Sequence, residues 1–130
     1  MAFLRARLDD DEQTARAAGG RGQQAWETDF SGEDPLGLPS WPAVVRYTTD
    51  GRLRGAVAHL PVMEERSEDR MAHIARHDPR RVLAEVDAKR RIIAEYEANS
   101  VDEWPLFPLF CLALPYASHP DYRPEWAPDA

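Results

Sequence analysis

At 130 residues the chain has room for one modest core but not two, and 43% hydrophobic with 30% charged residues is the make-up of an ordinary globular protein. No apolar stretch approaches the ~20 residues that a spanning helix needs. The acidic start "MAFLRARLDDDE" has no signal-peptide core, and a lone Cys111 cannot form an internal disulfide, so the expected compartment is the cytoplasm. The net charge of −7 is unevenly spread, with acidic ends and a nearly balanced middle. A nucleic-acid binder draws most of its affinity from a basic stripe; here there is none, and neither nucleic acid nor membrane is an expected partner.

The first segment, "AFLRARLDDDEQTARAAGG", reads as a helix: Leu4, Leu8, Ala15 and Ala18 fall near helical spacing, and Gly19 and Gly20 supply the left-handed residue that closes helices. Asp9 to Glu12 sit mid-helix and read as a solvated face. Residues 20–42 are rich in Gly, Pro, Gln and acid and read as an irregular arm, touching the core through Trp26, Phe30 and Trp41.

Residues 43–60 read as a β-hairpin turning at Asp50-Gly51, two residues that tolerate positive φ. A two-residue loop sets Thr49 opposite Arg52, Tyr47 opposite Arg54 and Val45 opposite Ala56. The other face then pairs Thr48 with Leu53 and Val44 with Val57. A lone hairpin is unstable in water, so it must pack on helices or on a partner.

Residues 67–98 read as a helical pair. Ser67 caps a short helix with Met71, Ile74 and Ala75 on its apolar side, which stops near His77 because Pro79 disfavours helical geometry before it. Asp78 then caps a longer helix with Pro79 at its first position, where a missing N–H costs nothing. Val82, Leu83, Val86, Ile93 and Tyr96 form the apolar side of that helix, and opposite charges four apart lace its exposed side. Further on, "LFCLAL" fits a short strand or a helical turn equally well. Residues 115–130, with four prolines, read as an extended tail that lays Tyr116, Tyr122 and Trp126 along the surface.

His73 and His77, four apart on one helical face, are a familiar metal-ligand spacing. The residue after the first histidine is Ile74, not the glutamate a metalloprotease uses as general base, and Arg70 and Arg76 on the same face repel a cation. At a helix C-terminus a histidine hydrogen-bonds the last carbonyls and favours the dipole, so the pair reads as a helix joint. The competing metal reading recruits His119 or Asp121 and takes zinc. Cys111, inside an apolar run, reads as a small buried hydrophobe. No phosphate loop, nucleophile elbow or Cys-x-x-Cys pair is present, and no convincing catalytic set emerges.

Three stretches, "FLRARLDDDEQTARAA", "HIARHDPRRVLAEVDAKRRII" and "LALPYASHPDYRPEW", resemble a family of small actinobacterial proteins of unknown function. "HDPRRVLAEV" is more loosely similar to small early proteins of tailed phages. Many members of that family carry a cysteine-rich insertion before the tail that looks like a zinc element. Here "EANSVDEWPLFPLFC" takes its place with one cysteine, which implies that this chain lacks the element. The resemblance supplies lineage and fold but no activity.

The expectation is one small α+β domain spanning 1–130, with an N-terminal helix, a β-hairpin, a short and a long helix, and an extended Pro-rich C-terminal tail. Few strands favour a homodimer through the hairpin edge or the long helix. The function expected is non-enzymatic binding or regulation by protein–protein contact, with Trp26, Trp41, Trp104, Tyr122 and Trp126 as contact candidates and no cofactor. The rival from another class is a metal-binding protein or metal-dependent hydrolase on His73 and His77. A third reading, acidic mimicry of nucleic acid, requires negative charge arrayed along one face.

Overall fold

A computed structural model describes residues 1–20, 22, 25–29, 44–50, 52–59, 67–99 and 105–127. In chain order they form α1 (Ala2–Gly19), β1 (Ala25–Asp29), β2 (Val44–Thr49), β3 (Arg52–His59), α2 (Ser67–Arg76), α3 (Pro79–Ala98) and α4 (Phe107–Ala113). Two 3-10 turns follow, Leu114–Tyr116 and Pro124–Trp126. The α+β class stands, and the chain gathers into two compact units. Unit 1 is Met1–Gln13 with Ala84–Ala130, unit 2 is Thr14–Leu83, and α1 and α3 each supply residues to both. Among the described residues no helix is long and apolar enough to cross a membrane.

In unit 2 the three strands form one antiparallel sheet with β2 at its centre. β1 falls inside the segment read as an irregular arm, and that reading is corrected here. Its five residues, "AWETD", are too short and too mixed to announce a strand, and they become one by pairing with β2, Trp26 opposite Tyr47 and Thr28 opposite Val45. The rest of that arm, with Phe30 and Trp41, lies outside the described residues, as does Trp104.

The hairpin register holds beside the turn, where Thr49 faces Arg52 and Thr48 faces Leu53, with Asp50 left-handed at φ 53°. Further out it departs from expectation: Val45 pairs with Ala58 rather than Ala56, and Val44 with His59 rather than Val57. Irregularities between Val45 and Thr48 take up the extra β3 residues. Gly55 lies against the Tyr47 ring, so that a Cβ there would sit 3.0 Å from Tyr47 Cε1. The absent side chain is what lets that ring lie over β3.

The core of unit 2 forms where α2 packs on the sheet. Met71 and Val45 are fully buried, with Trp26, Ala58, Ile74 and Ala75 packed around them. The opposite face of the sheet carries an ion pair, Arg46 Nε to Asp29 Oδ2 at 2.7 Å, with side-chain exposures of only 8% and 14%. Arg46 also donates to the Arg54 carbonyl at 3.3 Å.

The helix joint is built as its residue types suggest. Asp78 Oδ1 accepts the Arg81 amide at 2.8 Å, capping α3, and Asp78 Oδ2 accepts the Trp26 amide at 3.2 Å. One carboxylate thus satisfies an orphan helix donor and an amide of an edge strand at once. The Ser67 side chain lies outside the described residues.

Candidate functional site

Unit 1 is organised by charge as well as by apolar contact. On α1, Leu4 and Leu8 are buried; on α3, Val86 and Ile93, two turns apart, are buried at 2% exposure each. Arg90 of α3 reaches Asp9 at 2.6 Å and Glu12 at 2.5 Å on α1, and Arg5 pairs with Glu97. Asp11 accepts the Tyr116 hydroxyl at 2.5 Å, and Asp10 takes Arg7 at 2.8 Å. Within the run Asp9 to Glu12, Asp9 and Asp10 are exposed, as a solvated face requires, while Asp11 and Glu12 are half-buried against Tyr116 and Arg90. The partners of the run lie up to about a hundred residues away, where local pattern cannot show them. Ala18 is exposed while Gly19 is buried, and Gly20, at φ 49°, closes the helix.

Phe3 organises the C-terminal segment. Its ring meets Tyr116 at 6.3 Å, His119 at 5.6 Å, Tyr122 at 6.3 Å and Trp126 at 5.1 Å, and Tyr122 stands edge-on to Trp126 at 5.6 Å. Such aromatic pairs are worth about 0.5–1.5 kcal/mol each beyond burial. The segment is consequently wound through two 3-10 turns around Phe3 rather than extended, and Tyr116, Tyr122 and Trp126 are half-buried rather than laid on the surface. Burial, then the bond to Asp11, holds the Tyr116 hydroxyl well above its ordinary pKa.

The ambiguous apolar run becomes α4. Pro108 sits in the first turn, where a helix tolerates it and a central strand would not, and Leu109 and Ala113, four apart, face inward. The apolar side chains at the two ends of α4 have little to cover them: Leu106 is 56% exposed, Phe107 55% and Leu114 47%. Cys111 is exposed, which corrects its reading as a buried hydrophobe.

Beside α4 opens a cleft of about 480 Å³, lined by Met1, Phe3, Leu4, Tyr96, Glu97, Leu106, Leu109, Phe110, Ala113 and Trp126. That volume lies in the range of sites for small molecules or for the anchor side chains of a peptide. The lining is apolar apart from Glu97 and the Tyr96 hydroxyl, which donates to the Pro105 carbonyl at 2.9 Å. A wall of this kind can bind and orient; it offers no nucleophile with an adjacent base.

The contact candidates separate. Trp126 lines the cleft, Tyr122 stacks behind it, and Trp26 serves the core of unit 2 as an anchor. The cleft residues missed from sequence are Phe3, Tyr96, Leu106 and Phe110. For Leu106 and Phe110 the one signal was an apolar run around α4 longer than a seven-residue helix can bury; Phe3 in α1 and Tyr96 in α3 had none.

The histidines behave as a joint. His77 Nδ1 donates to the His73 carbonyl at 2.9 Å, and the two exposed rings lie 4.3 Å apart. His119 and Asp121 belong to unit 1, the histidine pair to unit 2. There Arg7 lies against His119 Nε2, and the Asp121 amide donates to His119 Nδ1 at 3.1 Å. Among the described residues no group of three or more His, Cys, Asp or Glu side chains is placed to hold a metal.

Comparisons with curated proteins and with solved structures give no match. A family described as "Family of unknown function (DUF6221)" matches residues 1–128, nearly the whole chain, and the protein belongs to that family.

Proposed function

We propose that the protein is a non-enzymatic binding or regulatory protein that works in the cytoplasm by contact with another protein, through the cleft beside α4. One observation carries this reading: Leu106, which lines an apolar cleft, is left 56% exposed, and Phe107 and Leu114 at the two ends of α4 are about half exposed as well. Uncovered large apolar side chains beside an apolar cleft typically mark an interaction site. Burial and then the bond to Asp11 hold Tyr116 in its protonated form, and hydrogen bonds to Glu12 and Asp9 do so for Arg90, an arrangement that positions rather than reacts.

A photo-reactive phenylalanine analogue at position 107, in cells, tests the reading. Discrete cross-linked species are expected from position 107, lost when Leu106→Ser is added, and none from the exposed control position 80. No adducts, or the same smear from both positions, would overturn it.

The metal-dependent reading draws on the two adjacent exposed rings of His73 and His77. Elemental analysis of tag-free protein separates the two. One zinc per chain, lost in His73→Ala His77→Ala, would displace the non-metal reading.

A further inference from the structure

We propose that His73 and His77 hold an exchangeable divalent transition ion, zinc or nickel, across the C-terminal turn of α2. The site lies in unit 2, is independent of the contact reading, and asks no chemistry of the ion.

The helix joint accounts for only part of the pair. His77 Nδ1 faces the His73 carbonyl at 2.9 Å, so this nitrogen carries the hydrogen and in the neutral ring Nε2 keeps the lone pair. That is the tautomer a metal ligand needs. A ring N–H donated to a backbone carbonyl is also the usual brace behind a metal-binding histidine. The joint makes no use of the His73 ring at all. Yet that ring stands exposed beside the exposed His77, the two centres 4.3 Å apart, and no hydrogen bond among the described residues ties it down.

Geometry and ligand type fix the class of ion. Zn–N bonds of about 2.0–2.1 Å put two nitrogens on one ion about 3.3 Å apart. Rings with centres 4.3 Å apart on successive turns of one helix reach that separation by side-chain rotation, without moving the backbone. Two imidazoles select borderline ions such as zinc and nickel over magnesium and calcium, which take oxygen ligands. Among the described residues no third His, Cys, Asp or Glu side chain joins the pair. With two protein ligands and water in the other positions, the ion exchanges with solution instead of residing as a cofactor. Arg70 and Arg76 are exposed, and solvent screens their repulsion, which lowers the affinity without closing the site.

Both ligands sit on one helix, so the ion bridges them only when α2 is formed, and binding stabilises the fold. Free ion at a hundred times its dissociation constant raises the folded-to-unfolded ratio about a hundredfold.

The test uses tag-free, full-length protein, stripped with EDTA and dialysed, then titrated with zinc or nickel chloride by calorimetry in a non-coordinating buffer. One ion per chain is expected, and EDTA should remove it again; magnesium should give no heat. His73→Ala and His77→Ala should each weaken binding by more than the roughly tenfold that loss of an outer-shell partner costs. Zinc should also raise the urea midpoint of the wild type but not that of His73→Ala. His73 is exposed, so its substitution leaves the fold standing, and circular dichroism checks both variants. His119→Gln, in unit 1, should leave the affinity unchanged.

Binding that survives His73→Ala, or that His119→Gln removes equally, would put the ion elsewhere and overturn the proposal. No heat from either ion would overturn it as well. Zinc retained through the EDTA step would overturn the exchangeable site in favour of the metal-dependent reading. Failure of the ion site leaves the cross-links expected from position 107 untouched, so the two readings fail separately.

Discussion

Removing Asp29 should destabilise the protein far more than removing a typical surface acid. Its partner Arg46 is buried, at 7% exposure for the whole residue, and Asp29 Oδ2 sits 2.7 Å from Arg46 Nε. Asp29→Ala strands a guanidinium that, among the described residues, otherwise donates to the Arg54 carbonyl at 3.3 Å. Breaking such a pair from one side costs about 3–5 kcal/mol, most of it the penalty of a desolvated, uncompensated charge. In a domain of this size that corresponds to a fall of roughly 10–20 °C in melting temperature. Replacing both partners by apolar residues, Asp29→Leu with Arg46→Met, removes the charge as well as its partner. The double variant should recover much of the loss, because a buried ion pair and an apolar substitute are often close in energy. Urea denaturation of the wild type, the two single variants and the double variant closes the cycle. An Asp29→Ala cost below about 1 kcal/mol, or losses that simply add in the double variant, would refute a buried, coupled pair joining β1 to β2.

Asp78→Ala removes the cap of α3 and the acceptor for the Trp26 amide together; a loss of about 1–2 kcal/mol is expected by urea denaturation, and Asp78→Asn should retain more of it than Asp78→Ala. Met71→Ala opens a cavity at a fully buried position and should cost about 2–5 kcal/mol, whereas Met71→Leu should cost less than about 1.5 kcal/mol. Tyr116 has a raised pKa in the fold, so the stability linked to its protonated form is complete below about pH 10, its unfolded value, and is lost as pH climbs beyond. Melting temperatures across pH 8–11 should be flat and then fall above about pH 10, and Tyr116→Phe should flatten that fall.

What could be read from the sequence was what depends on neighbours in the sequence. Leu4 and Leu8 recur with the helical period, and so do Val86 and Ile93. Asp78-Pro79 carries its own start signal, and Asp50-Gly51 its own turn. What could not be read depends on residues far away. "AWETD" is a strand because β2 lies beside it, and the same five residues in isolation have no strand pattern. Asp9, Asp11 and Glu12 are partners of Arg90 and Tyr116, which the fold brings within 2.5–2.6 Å. The outer hairpin register failed because its pairing slips within β2 and β3, and a slip of this kind leaves no mark on an alternating pattern that Ala, Val and Gly already blur.

The candidate site was half legible for the same reason. Trp126 stands out as an aromatic in a proline-rich tail, but its place in the cleft follows from Phe3, at the opposite end of the chain. Phe3 both pins the C-terminal segment through four rings and lines the cleft, so Phe3→Ala would loosen the scaffold and reshape the site in one step. Any loss of binding in that variant would be uninterpretable as a contact. Leu106 and Phe110 line the same cleft from outside the Phe3 ring cluster, and Leu106 is mostly in water already. The Phe3 cluster and the buried Leu4, Leu8, Val86 and Ile93 hold unit 1 together, and the exposed side of α4 contributes little to it. Exposing Leu106, Phe107 and Leu114 gains the isolated chain nothing, whereas covering them with a partner would bury apolar surface worth roughly 25 cal/mol per Å². That imbalance, rather than any catalytic group, is why the function is sought at α4.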